Sequence, residues 1–435
     1  MSREIISFLR NTIPGYHHGW GGPEYTSWQD EQLSWKRTCY IGDWSFLMDI
    51  EVSGPDALQH FRDTGINGFA NFAIGQAKHL VQCSERGKVI GEGVLMRMAE
   101  DVFRTQSTTA MWSSFQLLKG RWNASWRKID TFQFQVSGPT ALQTCEAACG
   151  ESLADIAFMH FRKVLIGGVE VYALRQGMAG EIGFEFHGDI ADAPKVHAAL
   201  AAAGEPFGIR RLGHRTAMIN HLEAAFPTGL WHYIPDMFAP EAEGFYEHTL
   251  KYFDTMDIRP TLRGSLEADD ITAYLRSPCE LGWGKSVRFD HDFPGRAVLE
   301  GEAAAPTLQR VTLEFNSDDV IDVYASLFRD GEPYEFFEIP HAPRWIAWAD
   351  KVMNEDGTAI GISSIPGYSL HFRRILTLAY VAPAFARPGS EVVVLWGNPG
   401  QPQKHIRATV RPAPYKTDAR RDELTGAASA AAVPA

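Results

Sequence analysis

Two glycine-flanked segments carry side chains that could move a proton during a reaction. Glu92 lies in Ile-Gly-Glu-Gly, residues 90–93, and a carboxylate in such a position can act as a general acid or base. Tyr16 and His18 lie in Gly-Tyr-His-His-Gly-Trp, residues 15–20, where a histidine would titrate near neutral pH. The adjacent histidines are also typical of a metal-binding fragment, but the sequence shows no third ligand at a suitable spacing. We therefore predict acid–base chemistry at Glu92, His18 and Tyr16, and no metal site.

The composition is that of a large globular protein and narrows the classes of partner. The chain has 435 residues, of which 45% are hydrophobic and 12% aromatic, and its formal net charge is −12. An acidic chain without long basic runs argues against nucleic acid, and no apolar run reaches the roughly 18 residues of a membrane helix. The five cysteines form no CxxC pair and no signal-peptide pattern opens the chain. We expect a cytoplasmic protein with reduced thiols that makes no membrane contact.

One strand–turn–helix pattern occurs twice. Residues 50–59, Ile-Glu-Val-Ser-Gly-Pro-Asp-Ala-Leu-Gln, return 84 positions later as residues 134–143, Phe-Gln-Val-Ser-Gly-Pro-Thr-Ala-Leu-Gln. Each copy is typical of a strand, a Gly-Pro turn and a helix that begins near Asp56 or Thr140. The repeat predicts two related α+β subdomains.

The remaining segments differ in pattern and suggest domain boundaries. Residues 163–174 predict a hairpin, and residues 193–203 and 214–225 predict helices. The proline- and aromatic-rich residues of about 231–270 indicate an insertion over a pocket. Short alternating strands follow from about residue 306, and the last residues have no apolar periodicity. We therefore predict subdomains at 1–130 and 131–305, an all-β domain at 306–416 and a disordered tail at 417–435.

Several motifs, in the right order, resemble the aminomethyltransferase family, the T-protein of glycine cleavage. They are Gly-Glu-Ile-Gly-Phe-Glu at 180–185, Leu-Glu-Ala at 222–224, Leu-Gly-Trp-Gly at 281–284, Asp-Phe-Pro-Gly-Arg-Ala at 292–297 and Gly-Tyr-Ser at 367–369. Pro-Glu-Tyr at 23–25, Asp-His-Asp-Phe at 290–293 and Tyr-Ala-Ser-Leu-Phe at 324–328 are similar to the tetrahydrofolate-dependent O-demethylases of vanillate and syringate. The resemblance implies an α+β fold of three domains around a central channel, with a small C-terminal domain like a β-barrel.

The same resemblance implies a folate site and a substrate pocket. Glu185 matches a glutamate that binds the amino-pyrimidine edge of the pterin, and Gln135 matches a folate-contacting glutamine. Glu223 is expected to support the channel at the cofactor, and Phe226 stands where the family has an indole beside the pterin. Glu92 matches an aspartate close to the reacting carbon. These matches imply tetrahydrofolate as the cofactor. Two alternatives stay open: this chain binds and needs tetrahydrofolate, or its reaction does not require it.

The predicted substrate pocket departs from the vanillate-type pattern. Gln106 replaces an arginine that holds an aromatic carboxylate, and Ala217 replaces a tyrosine near the methoxy oxygen. A pocket histidine aligns with Phe46 or Leu47, and Trp112 is predicted to line the same pocket. We therefore expect a small aromatic substrate that carries no carboxylate.

Three functions fit this pattern. The first hypothesis is a formaldehyde lyase that opens a hydroxymethyl phenylcoumaran, a lignin-type dimer, to a stilbene without a methyl acceptor. The alternative is a tetrahydrofolate-dependent O-demethylase, which must also protonate the departing phenolate. The third is a non-catalytic folate-binding protein. Cys39-Tyr-Ile-Gly resembles a motif of such relatives but lies in the wrong part of the chain, and we interpret Cys39 as a buried small residue.

Overall fold

The structure, a computed structural model, describes residues 2–17, 19–177, 180–253 and 261–424. Within these residues the α-helices are α1 (Ser2–Asn11), α2 (Trp28–Arg37), α3 (Ala57–Thr64), α4 (Ser107–Leu117), α5 (Ala141–Cys149), α6 (Ala193–Gly204), α7 (Ala217–Glu223), α8 (Phe245–Phe253), α9 (Arg296–Ala304) and α10 (Ser317–Ser326). The strands of the first two sheets are β1 (Tyr40–Asp43), β2 (Asp49–Ser53), β3 (Ala77–Cys83), β4 (Val89–Ala99), β5 (Val102–Gln106), β6 (Ser125–Ile129), β7 (Thr131–Ser137), β8 (Phe161–Ile166), β9 (Val169–Arg175), β10 (Gly183–Asp189) and β11 (Arg210–Arg211). The later strands are β12 (Thr261–Arg263), β13 (Gln309–Phe315), β14 (Ile346–Trp348), β15 (Asp350–Met353), β16 (Ala359–Ser363), β17 (Gly367–Ser369), β18 (Arg374–Val381), β19 (Glu391–Trp396) and β20 (Lys404–Arg411).

The two copies of the repeat adopt the same local structure. In each, a strand (β2 or β7) ends at a glycine and is followed by a helix (α3 or α5). Gly54 and Gly138 have φ of 136° and 134°. A Cβ on either would lie 2.6 Å from a carbonyl oxygen, that of Asn123 or Thr38. Glycine is required at both positions for two reasons. Another residue would be strained at this positive φ, and its Cβ would collide with the neighbouring segment. This explains why the glycine of the Gly-Pro pair recurs.

Each repeat unit contributes an interior strand, β2 or β7, to a different sheet. The first sheet has the order β3-β4-β5-β2-β6, and the second has the order β11-β1-β7-β10-β9-β8. The predicted hairpin is confirmed as β8 and β9, which turn through Gly167 and Gly168 with φ of 58° and 77°. The helix predicted at 193–203 is confirmed as α6, whereas α7 is shorter than the predicted 214–225.

The C-terminal sheet closes on itself. Its order is β13-β20-β19-β15-β16-β18-β17, and β13 also pairs with β18, so six strands form a barrel. In β19 every second residue is buried, as expected for a strand with one face on a core. The predicted α+β fold, with two related subdomains and a small barrel-like domain, is confirmed.

Strand β1 and residues 417–424 are placed differently in the structure from what the predicted domain boundaries suggested. Strand β1 belongs by sequence to the predicted subdomain 1–130, but it pairs with β7 and β11 in the second sheet. Residues 417–424 were expected in a disordered tail; instead Leu424 is 4% exposed and joins the second hydrophobic core. The carbonyl of Asp422 accepts a hydrogen bond from the Arg175 guanidinium. A short segment without periodicity can still dock through one apolar side chain. Residues 425–435 of the predicted tail lie outside the described residues.

Candidate functional site

A cavity of about 1000 Å³ lies between the two subdomains and the turn that follows α7. Strands β3 and β4 and the start of α4 form one side, and α7 with residues 224–231 forms another. Three residues of α8 within the predicted insertion, Phe245, Tyr246 and Thr249, belong to the lining. Phe245 and Phe253 of the same helix also pack into the core of the first subdomain. The volume is enough for a large organic ligand and a second small molecule.

His79 and Glu92 form a hydrogen-bonded pair on the cavity wall. The His79 Nε2 atom lies 2.9 Å from Glu92 Oε2. In the antiparallel ladder of β3 and β4, Val81 is opposite Glu92, so His79 and Glu92 project from the same face as diagonal neighbours. The Thr108 hydroxyl bonds both the backbone N–H and the carbonyl of Glu92. The pair is partly exposed to the cavity and can therefore exchange a proton with a bound molecule.

The glycines beside Glu92 serve close packing rather than a turn. Glu92 lies within β4, not in a turn. A Cβ on Gly93 would lie 2.4 Å from the carbonyl oxygen of Gln106. The glycine therefore lets the start of α4 approach the strand. This approach places Gln106, Ser107 and Thr108 on the cavity wall next to Glu92.

A second polar cluster lies around Glu185 in the second subdomain. Gln135 and Gln176 donate to Glu185 Oε1 at 3.1 and 2.7 Å, and the Tyr40 hydroxyl donates to Gln135 Oε1 at 2.5 Å. Gln135 and Glu185 are register partners on β7 and β10, which accounts for their contact. Gln176 lines the cavity, so it connects buried Glu185 to the cavity wall. Glu185 Oε2 is buried without a hydrogen-bond partner, and His187 Nε2 is 3.4 Å away.

Six rings form a continuous aromatic wall of the cavity. They are His17, Trp20, Trp44, Phe46, Trp231 and Trp345. Successive ring centroids lie 4.4–5.5 Å apart for His17–Trp345, His17–Trp20 and Trp20–Trp44. Trp231 stacks on Trp345 at 4.6 Å. Such a surface favours a flat aromatic ligand, because aromatic rings gain energy from offset and edge contacts.

Among the described residues of the segment 15–20, His17 and Trp20 line the cavity. Tyr16 is 58% exposed and forms a backbone bridge with Arg344, so its ring lies outside the aromatic wall. His18 lies outside the described residues. His17, between them, is 2% exposed and accepts a hydrogen bond at Nδ1 from the backbone N–H of Gly19.

The predicted substrate residues divide between the cavity and the core. Gln106 and Phe46 line the cavity. Ala217 is fully buried at the start of α7 against the barrel core. Trp112 is buried in the core of the first subdomain, where its ring meets Phe245 edge-on at 5.0 Å. In these two helices the cavity is reached by other residues, Met111 on α4 and Met218 and His221 on α7.

Of the other two residues expected at the cofactor, only Phe226 lines the cavity. Glu223 is fully buried and joins separate elements of the fold. Its carboxylate accepts hydrogen bonds from Trp35 Nε1 at 3.0 Å and Ser369 Oγ at 2.6 Å, and Lys36 Nζ lies 3.3 Å away. Both carboxylate oxygens are occupied by protein donors. Through these contacts Glu223 ties α2 and β17 to α7.

The five cysteines lie outside the wall of this cavity, each at a described position. Cys39 is fully buried, in agreement with its interpretation as a small core residue. The five cysteines are free thiols. Among the described residues, no group of three His, Cys, Asp or Glu side chains is arranged to hold a metal ion.

Comparison with known proteins places the chain in a family. Residues 13–237 match the family model described as the GCVT N-terminal domain. Over 90% of its length the chain is 37% identical to a sesamin methylene transferase of Sinomonas sp. (strain No.22), of which it covers 89%. Over 95% of its length it is 33% identical to a syringate O-demethylase of Sphingobium sp. (strain NBRC 103272 / SYK-6), of which it covers 94%. The chain belongs to the aminomethyltransferase superfamily.

A solved structure confirms the superfamily fold. The glycine cleavage aminomethyltransferase T of Bartonella henselae matches with a TM-score of 0.67 at 18% identity, covering 95% of this chain and 97% of that one. In the described part of the chain, no helix is long and apolar enough to cross a membrane.

Tetrahydrofolate is the cofactor of this aminomethyltransferase superfamily, and the residues around Glu185 fit it. A pterin edge offers adjacent N–H donors, and the buried Glu185 Oε2 has no hydrogen-bond donor in the described structure. Asn220 Nδ2, close by on α7, is likewise buried without a partner, while Asn220 Oδ1 accepts from Lys416 Nζ at 2.6 Å. These unsatisfied polar atoms are what a bound heterocycle would satisfy, since buried polar groups are rarely left unpaired.

Proposed function

We propose that this chain removes a one-carbon unit from an ether oxygen of an uncharged aromatic compound and passes it to tetrahydrofolate. The observation that carries the proposal is the continuity of the cavity. It extends from Gln176, which is bonded to Glu185, to the aromatic wall, with the His79–Glu92 pair on its side. The relatives' names support a one-carbon substrate group, since one is an O-demethylase and the other a methylene transferase.

The residues of this chain would divide the work as follows. Glu185, Gln135 and Gln176 hold the folate, whose N5 amine supplies the acceptor for the carbon. Phe226 would lie beside the folate, and the aromatic wall would orient the aromatic substrate. In a methyl ether one carbon–oxygen bond would break, and in a methylenedioxy group two would break. Each bond's electron pair would stay on its oxygen, which would take up one proton. For each bond broken, a nitrogen of the acceptor would lose one proton to Glu92, held by His79, and Glu92 would pass it to solvent or to the oxygen, so charge and protons balance.

An uncharged substrate is favoured by the lining of the pocket. Gln106, at the start of α4, offers hydrogen bonds but no positive charge to a carboxylate. Contact with the aromatic wall would bury a large apolar surface of the ligand, which favours binding of an uncharged ring system.

One observation favours a second candidate, the formaldehyde lyase. Release of formaldehyde from a hydroxymethyl group needs a base and no acceptor, and the His79–Glu92 pair could be that base. The comparisons do not support this activity. The relatives are a demethylase and a methylene transferase, so the folate-dependent reaction is preferred.

A direct test incubates the protein with a methoxyphenol, a methylenedioxybenzene and a hydroxymethyl phenylcoumaran, each with and without tetrahydrofolate. We expect loss of the methyl or methylene carbon only when tetrahydrofolate is present, with one phenol or catechol formed per folate modified. Equal turnover without tetrahydrofolate, with free formaldehyde, would replace the proposal by the lyase. Tight folate binding without turnover of any compound would support a folate-binding protein instead.

A further inference from the structure

His221 is a buried polar side chain on the cavity wall whose function nothing above explains. It lies on α7, one turn after Ala217, and is 4% exposed. Its Nδ1 atom is 3.1 Å from the Thr228 hydroxyl. Its Nε2 atom is buried and has no hydrogen-bond partner in the described structure. An unsatisfied ring nitrogen on a cavity wall is costly unless a ligand or water completes it.

The position of His221 is central to the cavity. Its ring lies 6.1 Å from Trp44, which belongs to the aromatic wall, and 5.6 Å from Phe226. Phe226 lies in turn 5.6 Å from His79, the partner of Glu92. His221 therefore stands between the rings expected to hold the aromatic substrate and the acid–base pair.

The protonation state of His221 suits a hydrogen bond to an oxygen that is uncharged or that gains negative charge during the reaction. Burial lowers the pKa of His221 to about 4, and the nearby Lys416 ammonium adds to the effect. The imidazole is therefore neutral at pH 7 and carries one N–H and one lone pair. When the Thr228 hydroxyl donates to Nδ1, the N–H is at Nε2, which has no acceptor in the described structure and is available as a donor.

We propose that His221 Nε2 hydrogen-bonds the substrate oxygen from which the one-carbon unit is removed. This inference rests on the proposed function and adds a residue to its site. Ala217, one turn earlier, cannot supply such a bond, and His221 would stabilise the charge that develops on oxygen as the carbon leaves. The proton that the oxygen finally takes up comes from solvent or from the Glu92 pair, because a neutral imidazole is a weak acid.

The test compares His221→Leu and His221→Gln with a matched control. His60→Leu is that control: His60 is fully buried with both ring nitrogens unpartnered, and it packs against Phe61 and Trp122 in the core of the first subdomain. Two readouts are used. The first is the kcat for aryl methyl ethers whose phenols differ in acidity. The second is the affinity for a phenol compared with the affinity for a hydrocarbon of the same shape. Both affinities are measured by tryptophan fluorescence in the absence of tetrahydrofolate.

We expect His221→Leu to weaken phenol binding about tenfold and to leave hydrocarbon binding unchanged. The loss of kcat should be largest for the least acidic phenols, and His221→Gln should recover part of both losses. His60→Leu should change neither. Equal losses for all ethers, or unchanged phenol binding in His221→Leu, would overturn the inference. If the wild type turns over no ether with tetrahydrofolate, the proposed function fails, while the phenol comparison still decides the role of His221.

Discussion

His79 Nε2 and Glu92 Oε2 lie 2.9 Å apart across the antiparallel strands β3 and β4. The Thr108 hydroxyl fixes the backbone of Glu92, and the ring of Trp283 packs edge-on against His79 at 4.8 Å. The pair therefore has a defined position on the wall of a cavity large enough for folate and an aromatic molecule. Since we propose that this pair exchanges the proton, turnover should depend on it more than on any other part of the site.

Replacement of Glu92 by glutamine should abolish most activity. The amide keeps the shape of the side chain but cannot take up a proton, so kcat should fall about 10²-fold or more. Glu100→Gln, an exposed carboxylate close to the end of the same strand, is the control and should keep full activity. Steady-state kinetics with tetrahydrofolate in excess give the comparison. Wild-type kcat in Glu92→Gln would remove this carboxylate from the mechanism.

His79 should act through Glu92. Its loss in His79→Leu removes one hydrogen bond to a charged group, so kcat should fall by roughly 10- to 100-fold. His79→Gln can still donate to Glu92 and should recover much of this loss. The measurement is kcat and KM for both variants in parallel. A rise in KM with kcat unchanged would show that His79 contributes to binding and does not position Glu92.

Glu185→Gln should weaken folate binding. A charged carboxylate that receives pterin N–H donors contributes about 1.5–3 kcal/mol, so the Kd should rise roughly 10- to 100-fold. Isothermal titration with tetrahydrofolate under anaerobic conditions measures it. The matched control is Glu181→Gln, on the turn that precedes the same strand. An unchanged Kd in Glu185→Gln would separate Glu185 from the folate site.

Several parts of this structure could be predicted from sequence because their signals are local. The repeated Gly-Pro turns mark positions where a side chain would collide with a neighbouring carbonyl, and Gly167-Gly168 marks a hairpin. The family motifs predicted the barrel and the folate cofactor. The roles given to individual side chains, including Glu92 and Gln135, remain predictions that the variants above will test.

The aromatic wall and the acid–base partner could not be predicted in this way. Trp20, Trp231 and Trp345 come from segments more than a hundred residues apart and meet only in the folded chain. His79 faces Glu92 because of the register of two strands, which the sequence does not show. Trp112 was expected in the pocket, but it lies in the core of the first subdomain, and Met111 of the same helix lines the cavity.

The residue at position 106 should control whether a carboxylated substrate is accepted. The effect of an arginine there should be seen fully only when Asp49 is replaced by an uncharged residue. Gln106 is the register partner of Asp49, and the two also line a small neighbouring cavity. An arginine at 106 would therefore pair partly with Asp49 instead of a substrate. We expect Gln106→Arg with Asp49→Asn to lower the KM for a methoxybenzoate about tenfold, and Gln106→Arg alone to do less.

An arginine on the surface provides the control for that substitution. Gln59→Arg, at an exposed position on α3, should leave the KM for the methoxybenzoate unchanged. No gain from the double variant would show that Gln106 does not face the substrate.

Asp350 should make the stability of the protein depend on pH. It is buried, accepts from the Ser265 backbone N–H at 2.8 Å, and leaves Oδ2 without a partner. Burial raises its pKa from 3.8 to about 8. Between about pH 4 and pH 8 the folded chain keeps a proton that the unfolded chain has lost, so this group's contribution to stability falls as the pH rises through that range.

Asp350→Asn should remove this pH dependence. Its Tm should match that of the wild type near pH 4 and exceed it by a few degrees near pH 8. Asp356→Asn, an exposed position in the same domain, is the control. A constant difference in Tm between Asp350→Asn and the wild type across this pH range would contradict the assignment.

The most direct test of the proposed function follows the carbon itself. A methoxylated phenylcoumaran labelled with ¹³C in both its methoxy and hydroxymethyl carbons, and a methylenedioxybenzene labelled at the bridging carbon, are incubated with the protein and tetrahydrofolate. Carbon NMR then reports where each label goes. The account predicts that the methoxy or methylene label moves to folate, one for each phenol or catechol released, and that nothing moves without folate. Label appearing as free formaldehyde from the hydroxymethyl carbon, at the same rate without tetrahydrofolate, would contradict it.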